Sequence, residues 1–412
     1  MVSSEIPRRA TVPLFTPSPT QLRAGAVWVT ISNWADALAD RYGSAEVVTP
    51  LERLTPSEAR DRAFAASSLT DAAAVGSGRV RHGPDVRPLV GTFAKDLRWG
   101  WWSVEAARRA RSVDLEVFRG APFVWQHHDL FARSGFAAAR RLGTPLVLFV
   151  DAPQVWEARR WGVGRPGWGS VLEKVAERPQ LLAADVVACV SDEVAQQVTA
   201  MTHGRANVLV TPCTAEVATT DDRARNRQEH QLDGRFVVGW VGSFRRFHHA
   251  DMLVRVAAAL GRDVDNVTLF MIGDGPTRAE CNRLAAELGV DARFTGQVPN
   301  HQVRGLLQAC DVGVVPAGEG DSFHYSPLKL KEFMAARLPT VVPRAGEMAR
   351  TLKPDVDTLF FAPGDEAELR AQIGRLAADH DLRSRVARAG TDRLVASFSI
   401  GNQLAAVEAL ID

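Results

Sequence analysis

The segment FHYSPLKLKEFMAARLP (323–339) holds the densest chemistry in the chain. Ser326-Pro327 reads as a helix N-cap followed by Pro at the first helical position. The first amides of a helix lack internal partners and its dipole is positive there, so this end suits an anion. Lys329 falls in that first turn, where the dipole disfavours a cation. A bound phosphate would explain a Lys set against that preference. Glu332 follows on the same helical face. A carboxylate one turn below a phosphate could accept both hydroxyls of a ribose. Taken alone, Lys329 and Glu332 also read as an ordinary i,i+3 surface pair. A second cluster follows the apolar run FVVGWV, with Gly242, Ser243, Arg245, Arg246 and His248 on one loop. Glycine after a strand lets backbone approach a ligand, and Arg suits phosphate oxygens. The plain alternative is a solvated basic loop. Gly273-Asp274-Gly275-Pro276 is explained by a strand–helix turn, with one glycine available to line a ligand site.

Other signals fail their context. Asp263–Asp265 and Asp355–Asp357 match Asp-x-Asp, which can hold a divalent ion on a loop after a strand. Both precede their strands, so they read as solvated turns and no metal is expected. Gly162, Gly164 and Gly167 match GxGxxG, but EARRW rather than an apolar strand comes before them. Cys189, Cys213, Cys281 and Cys310 form no CxxC pair and read as buried or half-buried thiols of a reducing compartment. Lys+Arg 49 against Asp+Glu 48 leaves +1, so charge gives no reason to expect nucleic acid as a partner. No secretory leader and no apolar run of membrane-span length is apparent, which points to the cytoplasm. The segment KDLRWGWW, from Lys95 to Trp102, stands near Arg108, Arg109 and Arg111. It reads first as core packing with a solvated Arg face. A sugar-stacking surface and a weak peripheral membrane contact are its other readings.

The elements that must position these residues alternate short apolar strands with amphipathic helices along all 412 residues. In the first half, strands are expected over 12–15, 46–49, 122–126, 145–150, 185–190 and 208–210, with helices over 28–41, 131–141, 172–182 and 193–200. The second half repeats the pattern from 236 onward, with strands over 236–241, 267–272, 293–295, 312–315, 340–343 and 358–361. Helices over 251–260, 278–288, 301–309, 327–337, 366–378, 382–397 and 401–411 separate or follow them. Such alternation argues two α/β domains with mostly parallel, doubly wound sheets. The stretch between, TAEVATTDDRARNRQEHQLDGR, has almost no core-forming residues. Residues 1–212 are therefore read as one domain, 213–235 as a linker and 236–397 as a second domain. Ligands on such sheets bind beyond the carboxyl ends of the strands, at the switch points.

In order and spacing, GWVGSFRRFHHADML, MIGDGP, FTGQVP, ACDVGVVP, SPLKLKEFMAARLPTVV and LFFAPGD resemble the retaining nucleotide-sugar glycosyltransferases of the group 1 type, with the GT-B fold. QHHDLFARSGFAAARRLGTPLVLFVDAP and VVACVSDEVAQQV extend the resemblance into the first domain, and FSIGNQLAAVEALI resembles the family's tail helix. The resemblance implies two Rossmann-like domains facing across a cleft, with residues 398–412 crossing back to the first. It implies sugar transfer from a nucleoside diphosphate sugar to a hydroxyl acceptor, without cofactor or metal. Arg245 and Lys329 match its diphosphate-binding positions, and the amides of Ser326, Leu328 and Lys329 would cradle phosphate. Glu332 matches the second glutamate of the paired-glutamate motif, which holds the ribose. Val298 is where the base would meet backbone, and Gly242, Ser243 and His248 complete the donor side. The first glutamate of the motif is His324 here, the family's usual His after the first-domain strand is Asp151, and a common loop lysine is His248. Of the glycine-rich turn after the first strand, only Gly25 remains. Asp151 and His324 would position the donor sugar while Arg245 and Lys329 stabilise the leaving phosphates. Gly25, His127, Asp129 and Glu157 are the acceptor-side candidates. Two further readings stay open: a nucleotide-sugar epimerase using His127, His128 and Asp151, and a nucleotide-sugar-binding partner without activity.

Overall fold

The computed structural model describes residues 10–16, 25–50, 52–61, 92–101, 104, 114–160, 163–321 and 323–411. Two compact units divide the chain, Met1–Pro212 with Ile400–Asp412, and Cys213–Ser399. In unit 1 the sheet order is β3-β2-β1-β4-β5-β6-β7. Its strands are β1 (Ala10–Phe15), β2 (Gly43–Val48), β3 (Arg53–Leu54), β4 (Val124–His127), β5 (Leu146–Val150), β6 (Val186–Cys189) and β7 (Val208–Val210). All pairs are parallel except β2–β3. β5 and β6 are buried at every residue, as parallel strands covered on both faces should be. Helix α1 (Gly25–Tyr42) lays Trp34 against Trp125, with centroids 4.3 Å apart. Gln154–Arg160 forms α2 after β5.

Unit 2 is a six-stranded parallel sheet in the order β10-β9-β8-β11-β12-β13. Its strands are β8 (Phe236–Val241), β9 (Val267–Ile272), β10 (Ala292–Phe294), β11 (Val312–Val314), β12 (Thr340–Pro343) and β13 (Leu359–Phe361). Strand order reverses between β8 and β11, so the loops leaving these neighbours diverge and leave a crevice at their carboxyl ends. The chain after β11 leads into α5 (Leu328–Ala335), which is fixed to the sheet through Gly313. A Cβ there would stand 2.5 Å from the Phe333 ring, so only glycine lets α5 lie this close.

The polar stretch read as a linker is an ordered part of unit 2. It contains α3 (Arg223–Glu229), which packs on α4 (Asn300–Gln308). Polar contacts take the place of an apolar stripe. Arg227 donates to the carbonyls of Ala309 (2.8 Å), Leu232 (2.7 Å) and Arg235 (2.6 Å), and Asn226 donates to Gly305 (3.0 Å). Arg223 and Arg227 converge on Asp311.

The last two helices are α6 (His380–Phe398) and α7 (Ile400–Ile411), separated at Ser399. Among the described residues, 380–411 is the one stretch long and apolar enough to cross a membrane. It breaks at Ser399, and Val386, Leu394, Phe398, Leu404 and Val407 bury one face of each helix. The chain returns to unit 1 at Ile400, and α7 packs on α1 and β6. Arg41 donates to Glu408 at 2.8 and 3.0 Å, and Tyr42 bonds the same carboxylate.

The KDLRWGWW segment departs from its core reading. It lies on a helix over 92–101 in which Thr92 and Asp96 are buried, while Phe93, Leu97 and Trp101 face solvent. Trp102, Arg108, Arg109, Arg111 and Gly162 fall outside the described residues.

Candidate functional site

In unit 2 three loops gather at the switch point. The loop after β8 carries Gly242, Ser243, Arg245 and His248; the turn after β9 carries Gly273 and Gly275. The third leads from β11 to α5. The first two touch backbone to backbone. Gly275 has φ +150, and a Cβ on it would lie 2.0 Å from the Ser243 carbonyl oxygen. That turn therefore does structural work, while the loop after β8 faces outward.

Lys329 lies in the first turn of α5 with its Nζ 4.9 Å from the Trp240 ring centroid. It is half-buried, and burial pushes its ammonium down from 10.5 to about 8, against a smaller upward pull from Glu332. Glu332 is half-buried as well. Burial raises its carboxyl from 4.5 to about 7, with Lys329 pulling it back. Among the described residues neither forms a hydrogen bond or an ion pair, and the amides of Leu328 and Lys329 donate to no acceptor. An i,i+3 surface pair would be solvated and titrate near ordinary values. This pair is recessed, and each charge is costly where it stands.

His248 faces the same place. Burial, then the charges of Lys329 and Arg245, push its imidazole down to about 2, so it stays neutral at ordinary pH. Its Nδ1 is buried without a partner and lies 3.5 Å from where a Gly242 Cβ would stand. Arg245 is extended and exposed, and its guanidinium makes no hydrogen bond or ion pair among the described residues. Val298 is half-buried against the core after the positive-φ Gly296. His324 is buried beside Tyr325, the ring centroids 5.4 Å apart and perpendicular.

The expected capping role of Ser326 is corrected. Pro327 occupies the N-cap, and no side chain caps α5. Ser326 Oγ instead accepts from Lys331 Nζ (3.0 Å) and from the Cys213 amide (3.1 Å). Lys331 is fully buried, pairs with Glu347 and lies 4.3 Å from the Phe398 ring centroid. This cluster fixes the approach to α5 and leaves the helix amides open. The sequence reading gave Lys331 no role, and no local signal marks its partner, Glu347.

In unit 1 the structure brings His127 and Asp151 together at the carboxyl ends of adjacent strands, with His127 Nε2 2.9 Å from Asp151 Oδ2. His127 is buried, and the Asp151 side chain is 41% exposed, so the carboxylate is the group a ligand could meet. Asp129, the neighbouring acceptor-side candidate, is also a support for the loop. It is buried, accepts from the Phe131 amide (3.0 Å) and from Gln154 Nε2 (3.4 Å), and so shapes the loop 127–131. Sequence reasoning missed the groups behind it. Glu177 is fully buried, receives the Gln154 amide at the start of α2 and meets His128 Nε2 at 3.2 Å. Gln180 Nε2 donates to the carbonyls of Asp129 (3.2 Å) and Leu130 (2.9 Å). Glu157 is half-buried in the first turn of α2, and Gly25 opens α1.

The Asp-x-Asp residues are engaged elsewhere: Asp263 with Arg370, Asp355 with Arg375 and Asp357 with Arg393. Among the described residues no group of three His, Cys, Asp or Glu side chains is placed to hold a metal.

The two Rossmann-like units have the GT-B fold, with a basic, anion-ready crevice in the second. Residues 235–379 match the family described as glycosyl transferases group 1. The chain is accordingly a transferase enzyme carrying a group 1 glycosyltransferase domain. It is 28% identical over 291 residues to the 2-deoxystreptamine glucosyltransferase of Streptomyces kanamyceticus, covering 65% of this chain and 70% of that one. It is 32% identical over 168 residues to the lipopolysaccharide core biosynthesis glycosyltransferase LpsD of Rhizobium meliloti, covering 40% of this chain and 46% of the other. The chain thus spans about half the length of that second relative. In fold it is similar to Anabaena HepE in complex with UDP, with TM-score 0.64, 17% identity, and 97% and 99% of the two chains covered. Sucrose-phosphate synthase from Thermosynechococcus elongatus gives TM-score 0.66 at 18% identity, covering 97% and 98%.

Proposed function

We propose that this glycosyltransferase takes its sugar from a nucleoside diphosphate sugar and transfers it to a hydroxyl acceptor with retention, without a metal. The observation that carries the reading is the recessed Lys329–Glu332 couple, without a hydrogen bond or ion pair among the described residues, at the open N-terminus of α5. A diphosphate supplies the anion that Lys329, Arg245 and the amides of Leu328 and Lys329 lack. A ribose attached to it supplies two donors to Glu332. Neutral His248 adds a polar wall without a competing charge.

As the anomeric bond breaks, negative charge grows on the departing phosphate. Arg245, Lys329 and the helix terminus stabilise it from fixed positions. His324 and Asp151 are assigned to the donor sugar, and His127 and Glu157 to the acceptor side. Front-face attack, with the leaving phosphate taking the acceptor's proton, requires no side-chain base. The UDP complexes among fold relatives support a nucleotide donor. A cytoplasmic location belongs to the same reading. No observation favours the epimerase or the silent binding partner.

The test is turnover of a nucleotide sugar in excess chelator, with the product's anomeric configuration read by proton NMR. The expected product keeps the donor's configuration at full rate. An inverted product, or activity that magnesium or manganese must restore, overturns the corresponding part.

A further inference from the structure

We propose that unit 1 carries a membrane-docking face, built to lie on an anionic lipid bilayer, formed by the helix over 92–101 and the helical run over 168–183. The first helix presents Phe93, Leu97 and Trp101 at i, i+4 and i+8, a single stripe at helical spacing. Leu97 is 60% and Trp101 74% exposed, and exposed Val104 continues the stripe. Large apolar groups in a contiguous exposed row mark an interaction surface. The helix is anchored along the flank of the stripe. Buried Asp96 accepts from Arg165 Nε (2.8 Å), Arg165 Nη2 (3.1 Å) and Trp168 Nε1 (3.0 Å). Phe93 meets the Trp168 ring edge-on at 5.4 Å, which joins the stripe to the second helical run.

That run is divided lengthwise. Its inner face bears Glu177 and Gln180, which hold the loop 127–131. Its outer side exposes Val171, Lys174 and Val175, with Arg178 and Leu182 half-buried further along, and 173–177 form a π-helical turn within it. Lys174, Arg178 and Leu182 line an open groove of about 390 Å³ together with Arg205. Arg98 lies exposed on the first helix, and Arg133 reaches the Val175 carbonyl at 3.4 Å. The carboxylates on these two helices are already engaged: Asp96 and Glu177 inward, and Glu173 with Arg159 at 3.7 Å.

A row of Phe, Leu and Trp on one helix and a cation-lined groove on the helical run it touches have together the composition of a surface that lies on a bilayer interface. The apolar side chains enter the acyl boundary, and long cationic side chains meet headgroup phosphates. Charge complementarity selects an anionic leaflet. Neither signal alone gives firm attachment, so both are required together.

The experiment is co-sedimentation of the full chain with vesicles of phosphatidylcholine alone and of phosphatidylcholine with phosphatidylglycerol. Binding is expected to the anionic vesicles and to weaken at high salt. Leu97→Glu with Trp101→Glu should reduce it roughly tenfold or more. Lys174→Glu with Arg178→Glu should abolish the preference for the anionic vesicles. Leu97, Trp101 and Lys174 are exposed and Arg178 is half-buried, and an unchanged melting point shows that the variants fold. Absence of wild-type binding to either vesicle, or unchanged binding of the Leu97/Trp101 variant, overturns the proposal. So does concentration-dependent self-association of the wild type that the same variant removes, because the stripe would then cover a second copy of the chain.

Discussion

The polar groups beneath the strand ends differ between the two units. In unit 1, Asp129, Gln154, Glu177 and Gln180 bond one another and the loop backbone, leaving Asp151 as the group open to solvent. In unit 2, Lys329, Glu332, Arg245 and the first amides of α5 have no hydrogen-bonding partner among the described residues, and burial shifts both members of the central pair. Groups that bond one another and the backbone hold shape, even where His128 Nδ1 and Gln180 Oε1 stay without a partner; recessed charges without partners suit a ligand. Among the described residues, unit 2 therefore holds the charged groups that lack hydrogen-bonding partners, and unit 1 the cluster that shapes a loop.

The largest expected effect breaks the comparison inside unit 2, where one cation is scaffold. Lys331→Met leaves Glu347 buried without its partner, and such losses cost about 3–5 kcal/mol of stability. Chemical denaturation should show it. A loss under about 1 kcal/mol would mean that the charge is solvated. Lys329→Ala removes a cation that has no such partner and that burial penalises below pH 8, so stability should hold or rise. Binding of a nucleoside diphosphate should instead weaken by about 1.5–3 kcal/mol, read by calorimetry. Arg245→Ala, at an exposed position, should weaken it by about 1 kcal/mol or less. Equal losses for the two, or none for either, would remove the phosphate assignment.

A pH series sharpens the same contrast. Lys329 falls from 10.5 to about 8, so its folded-state penalty holds below pH 8 and is relieved as pH rises toward 10.5. Glu332 rises from 4.5 to about 7, so its favourable contribution is complete below pH 4.5 and is lost as pH rises through 7. Diphosphate binding requires Lys329 charged, and ribose binding requires Glu332 ionised. Nucleoside diphosphate affinity should peak between about pH 7 and 8 and fall on both sides, with inorganic pyrophosphate losing only the acid limb. Identical profiles for the two ligands would count against Glu332.

Much of unit 2 was legible because its strands are short apolar runs bounded by glycine, proline or charge. The strands over 236–241, 267–272 and 340–343 and the helix over 366–378 stand where the pattern places them. The α3 helix was not legible, because Arg223, Asn226 and Arg227 hold it through carbonyls and Asp311 rather than through an apolar face. Ser326 shows a limit of local rules. The Ser-Pro signature marked the right helix, but Lys331 and Cys213 take the hydroxyl that capping would have used. Glu177 was invisible because its partners, Gln154 and His128, are 23 and 49 residues away along the chain. Lys329 and Glu332 were legible as a pair but not as a recessed one, since depth comes from Trp240 and the neighbouring loops.

The most direct test of the account is a double cycle on Glu332, pairing Glu332→Gln with removal of the ligand's 2′-hydroxyl. Glutamine keeps the shape but replaces one acceptor oxygen with a donor, so it disturbs two-point recognition of the ribose diol. The account predicts weaker nucleoside diphosphate binding in the variant, unchanged pyrophosphate binding, and a smaller loss from the substitution when the ligand is the 2′-deoxynucleotide. Equal losses for the ribose and deoxyribose ligands would show that Glu332 does not touch the sugar, contradicting the central assignment.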